Sequence, residues 1–267
     1  MIRLVSGFLA FGLFAILNSV YGEQIDPPAD GWDKINDLLF ADALTLFRDQ
    51  QKQADQSLDS VRLGEAIALL HRQPTTRANT DKVLSILEAL IAQSEDDVIA
   101  LQAAYLKARI VQLHPFEPNP DAAIPLYLNL AREYPGTILG QFAFVKASGL
   151  QLYDPNTADD ERPFESIASQ AAFLSDPDVI RSYNLLMAEA SQRFDYSDTF
   201  SLEHYIEAYD AGLTKPDLRA NVLTRIIVLS QRLGDIQTTR ARAEEFRTEF
   251  PRDIRITMVE ELLEKMP

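Results

Sequence analysis

Three histidines are the side chains of this chain best suited to bind a metal, and their spacing argues against a metal site. His71, His114 and His204 are far apart, and none belongs to a His-Glu-x-x-His group or to another set with metal-ligand spacing. Glu203 precedes His204, but no third ligand follows at helical spacing. The sequence therefore predicts structural histidines, and we expect no bound metal and no cofactor.

An acidic loop at residues 154–165 partly resembles a calcium-binding loop. Its first, third and twelfth positions are Asp154, Asn156 and Glu165, which carry the side-chain oxygens that such loops require. Ala158 has no side-chain oxygen, however, and Asp159 replaces the glycine of the sharp turn. We expect a solvated loop that caps the following helix, and a melting midpoint that calcium does not change.

Catalytic motifs are missing from the sequence. The mature chain has no Gly-x-Ser-x-Gly turn for a nucleophile and no glycine loop for phosphate. An enzyme or a saccharide-binding module built on several helices would instead bring paired carboxylates into one cleft. The candidates for such a pair are Asp195, Asp198, Glu203 and Glu207. Because acidic residues are numerous throughout the chain, we favour a non-catalytic protein and keep this second function as the alternative.

The elements that would position any site are helices. From Trp32 onward, apolar residues recur at positions three and four apart, and alternating strand-like patterns hardly occur. Ile35, Leu38 and Leu39 begin one such stripe. Prolines fall mostly between the stripes, as helix chemistry requires. The sequence predicts an all-α fold of roughly twelve helices, joined by short turns and therefore packed antiparallel.

The N-terminus has the layout of a secretory signal peptide. Arg3 supplies the positive charge, an apolar run follows from Leu4 to Leu17, and small residues precede Glu23. We predict a signal peptide at 1–22 and a flexible mature terminus at 23–31. The apolar run is shorter than the roughly 20 residues of a membrane span. An uncleaved anchor is the alternative, but we expect no stable membrane span after cleavage.

The composition bounds the compartment and the partners. The chain has no cysteine and therefore no disulfide, whereas a secreted eukaryotic domain would usually carry disulfides. We therefore expect an exported protein of the bacterial periplasm. The formal net charge of −15 is against nucleic acid as a partner, because phosphate binding needs a basic surface.

The end of the chain resembles a tetratricopeptide repeat. The stretch from Ala220 to Asp253 has ~34 residues, the period of that repeat. Leu233-Gly234-Asp235-Ile236 forms its middle turn and Pro251 closes it. The first helix departs from the family pattern at Leu223, Ile226, Ile227 and Ser230. In the second helix, the positions of the family's small residue and aromatic are occupied by Thr239 and Ala243, and Phe246 comes after them. An earlier unit carries the small residue and the aromatic of the pattern at Ala123 and Tyr127.

The resemblance implies antiparallel helical hairpins stacked as a solenoid of the tetratricopeptide-repeat type. We divide the chain into N-terminal helices at 32–95, repeats at 96–253 and a capping helix at 254–267. An ordinary helical bundle without repeats is the alternative fold. In the second helix of the last repeat, one stripe should meet the first helix, with Phe246 buried between them. The members of that stripe are Ile236, Thr239, Ala243, Phe246 and Phe250.

Such arrays bind partners along the surface formed by the first helices of their repeats. The alignment places Asn221, Thr224, Gln231 and Arg232 on that concave groove, with Gln231 and Arg232 facing solvent. We therefore expect an envelope adaptor or scaffold that binds a protein or peptide of unknown identity. A module that oligomerises through its last helix is a further alternative. Its mark would be an exposed apolar face at Met258, Val259, Leu262 and Leu263.

Overall fold

The computed structural model describes residues 29–53 and 58–266, and these residues form thirteen α-helices and no strand. The all-α prediction is confirmed. In chain order the helices are α1 (Ala29–Asn36), α2 (Phe40–Gln53), α3 (Asp59–His71), α4 (Arg77–Gln93), α5 (Asp97–Leu113), α6 (Pro120–Glu133), α7 (Ile138–Leu152), α8 (Phe164–Gln170), α9 (Pro177–Arg193), α10 (Asp198–Asp210), α11 (Pro216–Arg232), α12 (Ile236–Glu249) and α13 (Ile256–Lys265). Two short 3-10 turns, Asp159–Glu161 and Ala171–Phe173, flank α8.

The described residues divide into two compact units, and the division falls within α5, after Ala103. In the first unit the ring of Phe47 is fully buried and lies edge-on to Trp32, with ring centroids 5.5 Å apart. Gly31 of α1 and Gly64 of α3 stand against this ring, so close that a Cβ at either position would lie within 2.6 Å of it. Glycine at both positions is what allows Phe47 to fill this core.

Two apolar clusters hold the second unit together. One combines side chains of α6 to α9, including Phe144, Phe164 and Met187. The other combines side chains of α9 to α13, including Leu223, Ile226 and Phe246. Burial of such side chains contributes about 1.5–3 kcal/mol each, which makes these clusters the main stabilising feature of the unit.

The hairpin formed by α11 and α12 has the turn that the sequence predicts. Gly234 adopts a φ of +76°, which side chains rarely allow, and Asp235 caps α12 by accepting a hydrogen bond from the Thr238 amide at 3.0 Å. Phe246 is fully buried between the helices, as predicted. Ile236 was placed wrongly in the buried stripe, because it is half exposed at the first position of α12.

Helix boundaries follow the prolines with one exception. Pro177 and Pro216 are the first residues of α9 and α11, and Pro251 follows α12. Pro125 lies inside α6, near the start of its second turn, so only the carbonyl of Asp121 loses a helical donor. The described part of the chain also begins helical at Ala29, so the predicted flexible segment at 23–31 is wrong for its last three residues.

The last helix, α13, covers the second apolar cluster. Val259 is fully buried, and Leu262 and Leu263 pack against the cluster, while Met258 stays exposed. Most of the apolar face proposed for oligomerisation is therefore used within the chain. The predicted signal peptide at 1–22 lies outside the described residues. Among the helices that are described, none combines the length and the apolar character needed to cross a bilayer.

Candidate functional site

Helix α9 of the second unit is linked to both α7 and α11, although α8 and α10 intervene in the sequence. Leu186 of α9 packs on Gly149 of α7, with its methyl carbons 3.7 Å from the position that a Cβ would take there. Ala188 of α9 shares a buried cluster with Val222 and Leu223 of α11, a cluster to which α10 also contributes. Helix α9 therefore packs directly on α7 and shares an apolar core with α11.

A buried amide fixes the first two of these helices in register. Gln141 of α7 is buried, and its Oε1 accepts hydrogen bonds from the backbone amides of Ser175 and Asp176, each at 3.0 Å. Its Nε2 donates to Ser175 Oγ at 3.0 Å. Asp176 in turn caps α9. A buried amide with all these partners holds the start of α9 against α7.

The solvent side of these three helices carries a group of charged and aromatic residues that we call the open face. Glu189, Arg193, Arg225 and Tyr153 are exposed, and Lys146 is half-buried. The open face consists of Lys146 on α7, Tyr153 directly after α7, Glu189 and Arg193 on α9, and Arg225 on α11.

Glu189 lies in a recess of this face. Its side chain reaches solvent, yet the surrounding protein desolvates the carboxylate and raises its pKa, against the opposing effect of Arg225. The charge of Glu189 also contributes to the raised pKa values of Tyr153 and Tyr205, for both of which burial is the main cause. One carboxylate therefore interacts with groups from α7, α10 and α11.

Lys146 is the other unusual charge of the open face. Desolvation lowers its pKa to about 8, and the positive charge of Arg109 lowers it further. Nearby, Tyr105 and Tyr127 pack edge to face at 5.7 Å, and Tyr127 Oη donates to Gln112 Oε1 at 3.0 Å. Burial raises the pKa of Tyr105 to about 12, so both phenols stay neutral. Lys146 is thus a partly desolvated ammonium group beside a second cation and two neutral phenols.

Charge is distributed unequally between alternate helices. Six basic and three acidic residues lie on α7, α9 and α11, whereas four basic and ten acidic residues lie on α6, α8, α10 and α12. Three of the six basic residues have partners within the chain: Arg181 donates to the Ala211 and Gly212 carbonyls, Arg219 pairs with Glu249 at 2.8 Å, and Arg232 pairs with Asp198 at 2.9 Å. The open face is nevertheless more basic than the rest of an acidic chain.

The four residues predicted for the groove lie on or beside this face, and three of them are bound within the chain. Arg232 pairs with both carboxylate oxygens of Asp198, at 2.9 and 3.0 Å. Asn221 accepts a hydrogen bond from Arg255, and Thr224 Oγ1 donates to the Ala220 carbonyl at 2.8 Å. Gln231 is exposed. Their role in binding stays a prediction.

Lys146, Glu189 and Arg225 were missed in the sequence. Each is charged, as are many residues of the chain, and no local motif marks them. The signal that would have found them is the repeat period, because Lys146, Glu189 and Arg225 recur at intervals of roughly 40 residues, near that of helical-hairpin repeats.

The carboxylates proposed as a catalytic pair have separate roles. Asp198 is engaged by Arg232 and by Gln192 Nε2 at 3.1 Å. Glu203 and Glu207 are exposed on α10, and Asp195 occupies the turn after α9 with a φ of 51°.

Each histidine packs or bonds within the protein. His71 stacks on Phe40 with centroids 5.1 Å apart, and His114 Nδ1 accepts from the Glu117 amide at 2.9 Å. His204 Nδ1 lies 2.6 Å from Asn184 Oδ1, and burial lowers the pKa of His204 to about 4. The described residues contain no group of three or more ligands that could hold a metal ion.

A protein cation occupies the acidic loop. The Arg162 guanidinium donates to the carbonyls of Leu152 and Asp154 and stacks on Phe194 at 3.6 Å. Asp154 Oδ1 accepts from the Asn156 amide at 2.8 Å. The predicted cap is absent, because Pro163 at the start of α8 offers no side-chain acceptor.

Comparison of the chain with protein-family models, with curated protein sequences and with solved structures found no match.

Proposed function

We propose that the second unit is a non-catalytic helical-repeat domain that binds a protein or an extended peptide on the open face. The observation that carries this proposal is the packing of α9 on α7 and the apolar cluster that α9 shares with α11, with exposed charged and aromatic side chains on their solvent side. Stacked helical hairpins present their first helices side by side in this way, and they use that surface for recognition.

The details of the hairpins support an array of the tetratricopeptide-repeat type. Helices α9 and α11 both begin with proline, and α11 and α12 are joined by the Gly234-Asp235 turn. With the signal peptide at 1–22, this domain would act in the periplasm as an adaptor or scaffold.

Site-specific photo-crosslinking tests the proposal. A photoreactive amino acid replaces Arg193 on the open face in one variant and Glu203 on α10 in the matched control, both of which are exposed. After irradiation in envelope extracts of the source cells, we expect covalent protein adducts at position 193 and few at position 203. Equal yields at the two positions, or no adducts at 193, would contradict the proposal.

A further inference from the structure

Lys146 is the only charged residue of α7, and it has no partner of opposite charge. The described residues give it neither a hydrogen bond nor an ion pair, and the nearest charge identified, that of Arg109, is also positive. The residue is half-buried on an otherwise apolar and uncharged helix. A desolvated ammonium without an acceptor is costly, and a carboxylate placed beside it would offset that cost.

Two further basic residues of the open face also favour an acidic ligand. Arg193 and Arg225 are exposed on α9 and α11, and no hydrogen bond ties either of them to a carboxylate among the described residues. Glu189 is the one acid between them. Leu185 and Leu186 lie on the same side of α9 and are partly buried. The surface therefore alternates basic groups with apolar ones.

The spacing of the helices sets the spacing of the ligand. Packed helices lie about 8–10 Å apart, and an extended chain rises about 3.3 Å per residue. Lys146 lies three residues before Gly149, and Arg193 lies seven residues after Leu186, which contacts Gly149. The two basic groups are therefore also offset along the helices by roughly 15 Å, so a segment that meets both crosses the helices obliquely.

We propose that the open face binds an extended acidic segment of a partner protein that crosses the helices obliquely, with one of its carboxylates paired to Lys146 and others near Arg193 and Arg225. This inference rests on the proposed function and adds the chemistry of the partner. A protein segment fits better than a nucleic acid, because the chain carries a net charge of −15 that repels a continuous polyanion.

Fluorescence anisotropy with three labelled nonapeptides tests the proposal on the full mature chain. The first probe repeats Glu-Leu-Ser three times, and the other two carry Gln or Lys in place of Glu. We expect the glutamate probe to bind at least about tenfold more tightly than the glutamine probe, with an affinity that falls as salt rises. Equal binding of the glutamate and glutamine probes would overturn the inference.

Variants locate the binding. Lys146→Met should weaken the glutamate probe about tenfold, and Arg225→Gln should weaken it less, because Arg225 is exposed and partly offset by Glu189. Lys265→Met is the matched control: its ammonium is exposed on α13 and pairs with Glu261 at 3.6 Å. Thermal melts verify that each variant is folded. An unchanged affinity in Lys146→Met, or an equal loss in Lys265→Met, would also overturn it.

Two further probes separate this inference from the proposed function. A display library of random dodecapeptides is selected on the chain, and an oligothymidylate is titrated in parallel. Neutral peptides that bind and lose affinity in Arg193→Ala would leave the groove function standing and remove its acidic preference. Absence of any selected peptide would contradict both proposals. Tighter binding of the oligonucleotide than of the glutamate probe would favour nucleic acid instead.

Discussion

Glu65 of the first unit and Lys146 of the second unit are both desolvated charged groups, but they differ in the partners that surround them. In the first unit, Glu65 is buried and accepts hydrogen bonds from Lys82 at 2.8 Å, Gln51 at 2.9 Å and Arg48 at 3.2 Å. In the second unit, Lys146 has no acceptor in the described part of the chain. Burial acts against the charge of both groups, but only Glu65 is compensated by its surroundings.

The pKa values reflect this difference. Burial alone would raise the pKa of Glu65, but the three donors outweigh burial and lower it. Burial lowers the pKa of Lys146 to about 8, and the charge that acts on it among the described residues is that of another cation, Arg109. A compensated charge stabilises the fold that provides its partners. An uncompensated charge on an open surface is better explained by a partner from outside the fold.

The largest loss of unfolding free energy is expected for a buried aromatic side chain, and the effects at the two charged groups can be compared with it. Phe246→Ala should reduce the free energy of unfolding by about 3–5 kcal/mol, because the ring is fully buried between α11 and α12. Urea titration measures the loss. Arg247→Ala, at the exposed neighbour, should cost under about 0.5 kcal/mol. Equal losses in the two variants would mean that the faces of this hairpin are assigned incorrectly.

Removing the compensated charge should weaken the first unit. Glu65→Ala should cost about 2–4 kcal/mol, since three hydrogen bonds are lost and a buried site is left empty. The effect stays below that of a fully buried pair because Arg48 and Lys82 can turn to solvent. Denaturant titration at pH 7 measures it, with exposed Glu95→Ala as the matched control. A loss under about 0.5 kcal/mol in Glu65→Ala would contradict the role given to this network.

His204 supplies a third case, a titratable group kept neutral beside Asn184. Its folded pKa is about 4, below the ordinary value of 6.5, so protons bind the unfolded chain first as the pH falls. The stability that His204 contributes is present above pH 6.5 and is lost as the pH falls towards 4, by about 3 kcal/mol in total. His204→Gln should flatten the pH dependence of the thermal midpoint in this window. An unchanged slope would show that other groups determine it.

Removing the charge of Lys146 should increase the free energy of unfolding, whereas removing that of Glu65 should decrease it. Lys146→Met should raise the stability of the free protein by about 1–3 kcal/mol at pH 7, because the folded state no longer holds a desolvated ammonium. The gain is largest below pH 8 and narrows as the pH rises from about 8 towards 10.5, where the unfolded lysine also loses its proton. Chemical denaturation at pH 7 and pH 10 measures both values. A destabilised variant at pH 7 would contradict the comparison with Glu65.

The smallest effect is expected where a charge pair is exposed. Arg232→Gln should cost about 0.2–1 kcal/mol, because the Arg232–Asp198 pair is screened by solvent. A double-mutant cycle with Asp198→Asn isolates the coupling energy. A coupling well above 1 kcal/mol would place this pair with Glu65 among the structural charges.

The sequence by itself determined the helices, the hairpin turn at Gly234-Asp235 and the burial of Phe246. Each depends on residues that are close in the chain: apolar side chains three or four apart, a glycine at positive φ, and prolines where a helical donor is not needed. Ile236 is exposed although its stripe predicted burial, because the end of a helix can leave a residue uncovered. The neighbours that would cover it are distant in sequence.

Only the tertiary structure decided which charged side chains pair with other helices of the fold. Arg232 reads as a free surface residue until α10 brings Asp198 to 2.9 Å from it. Lys146 and Glu189 read as ordinary helix residues until α7, α9 and α11 place them on one face. The physical reason is that the free energy of a charge depends on desolvation and on partners from other helices. Both are properties of packing, and a local pattern of residue types does not contain them.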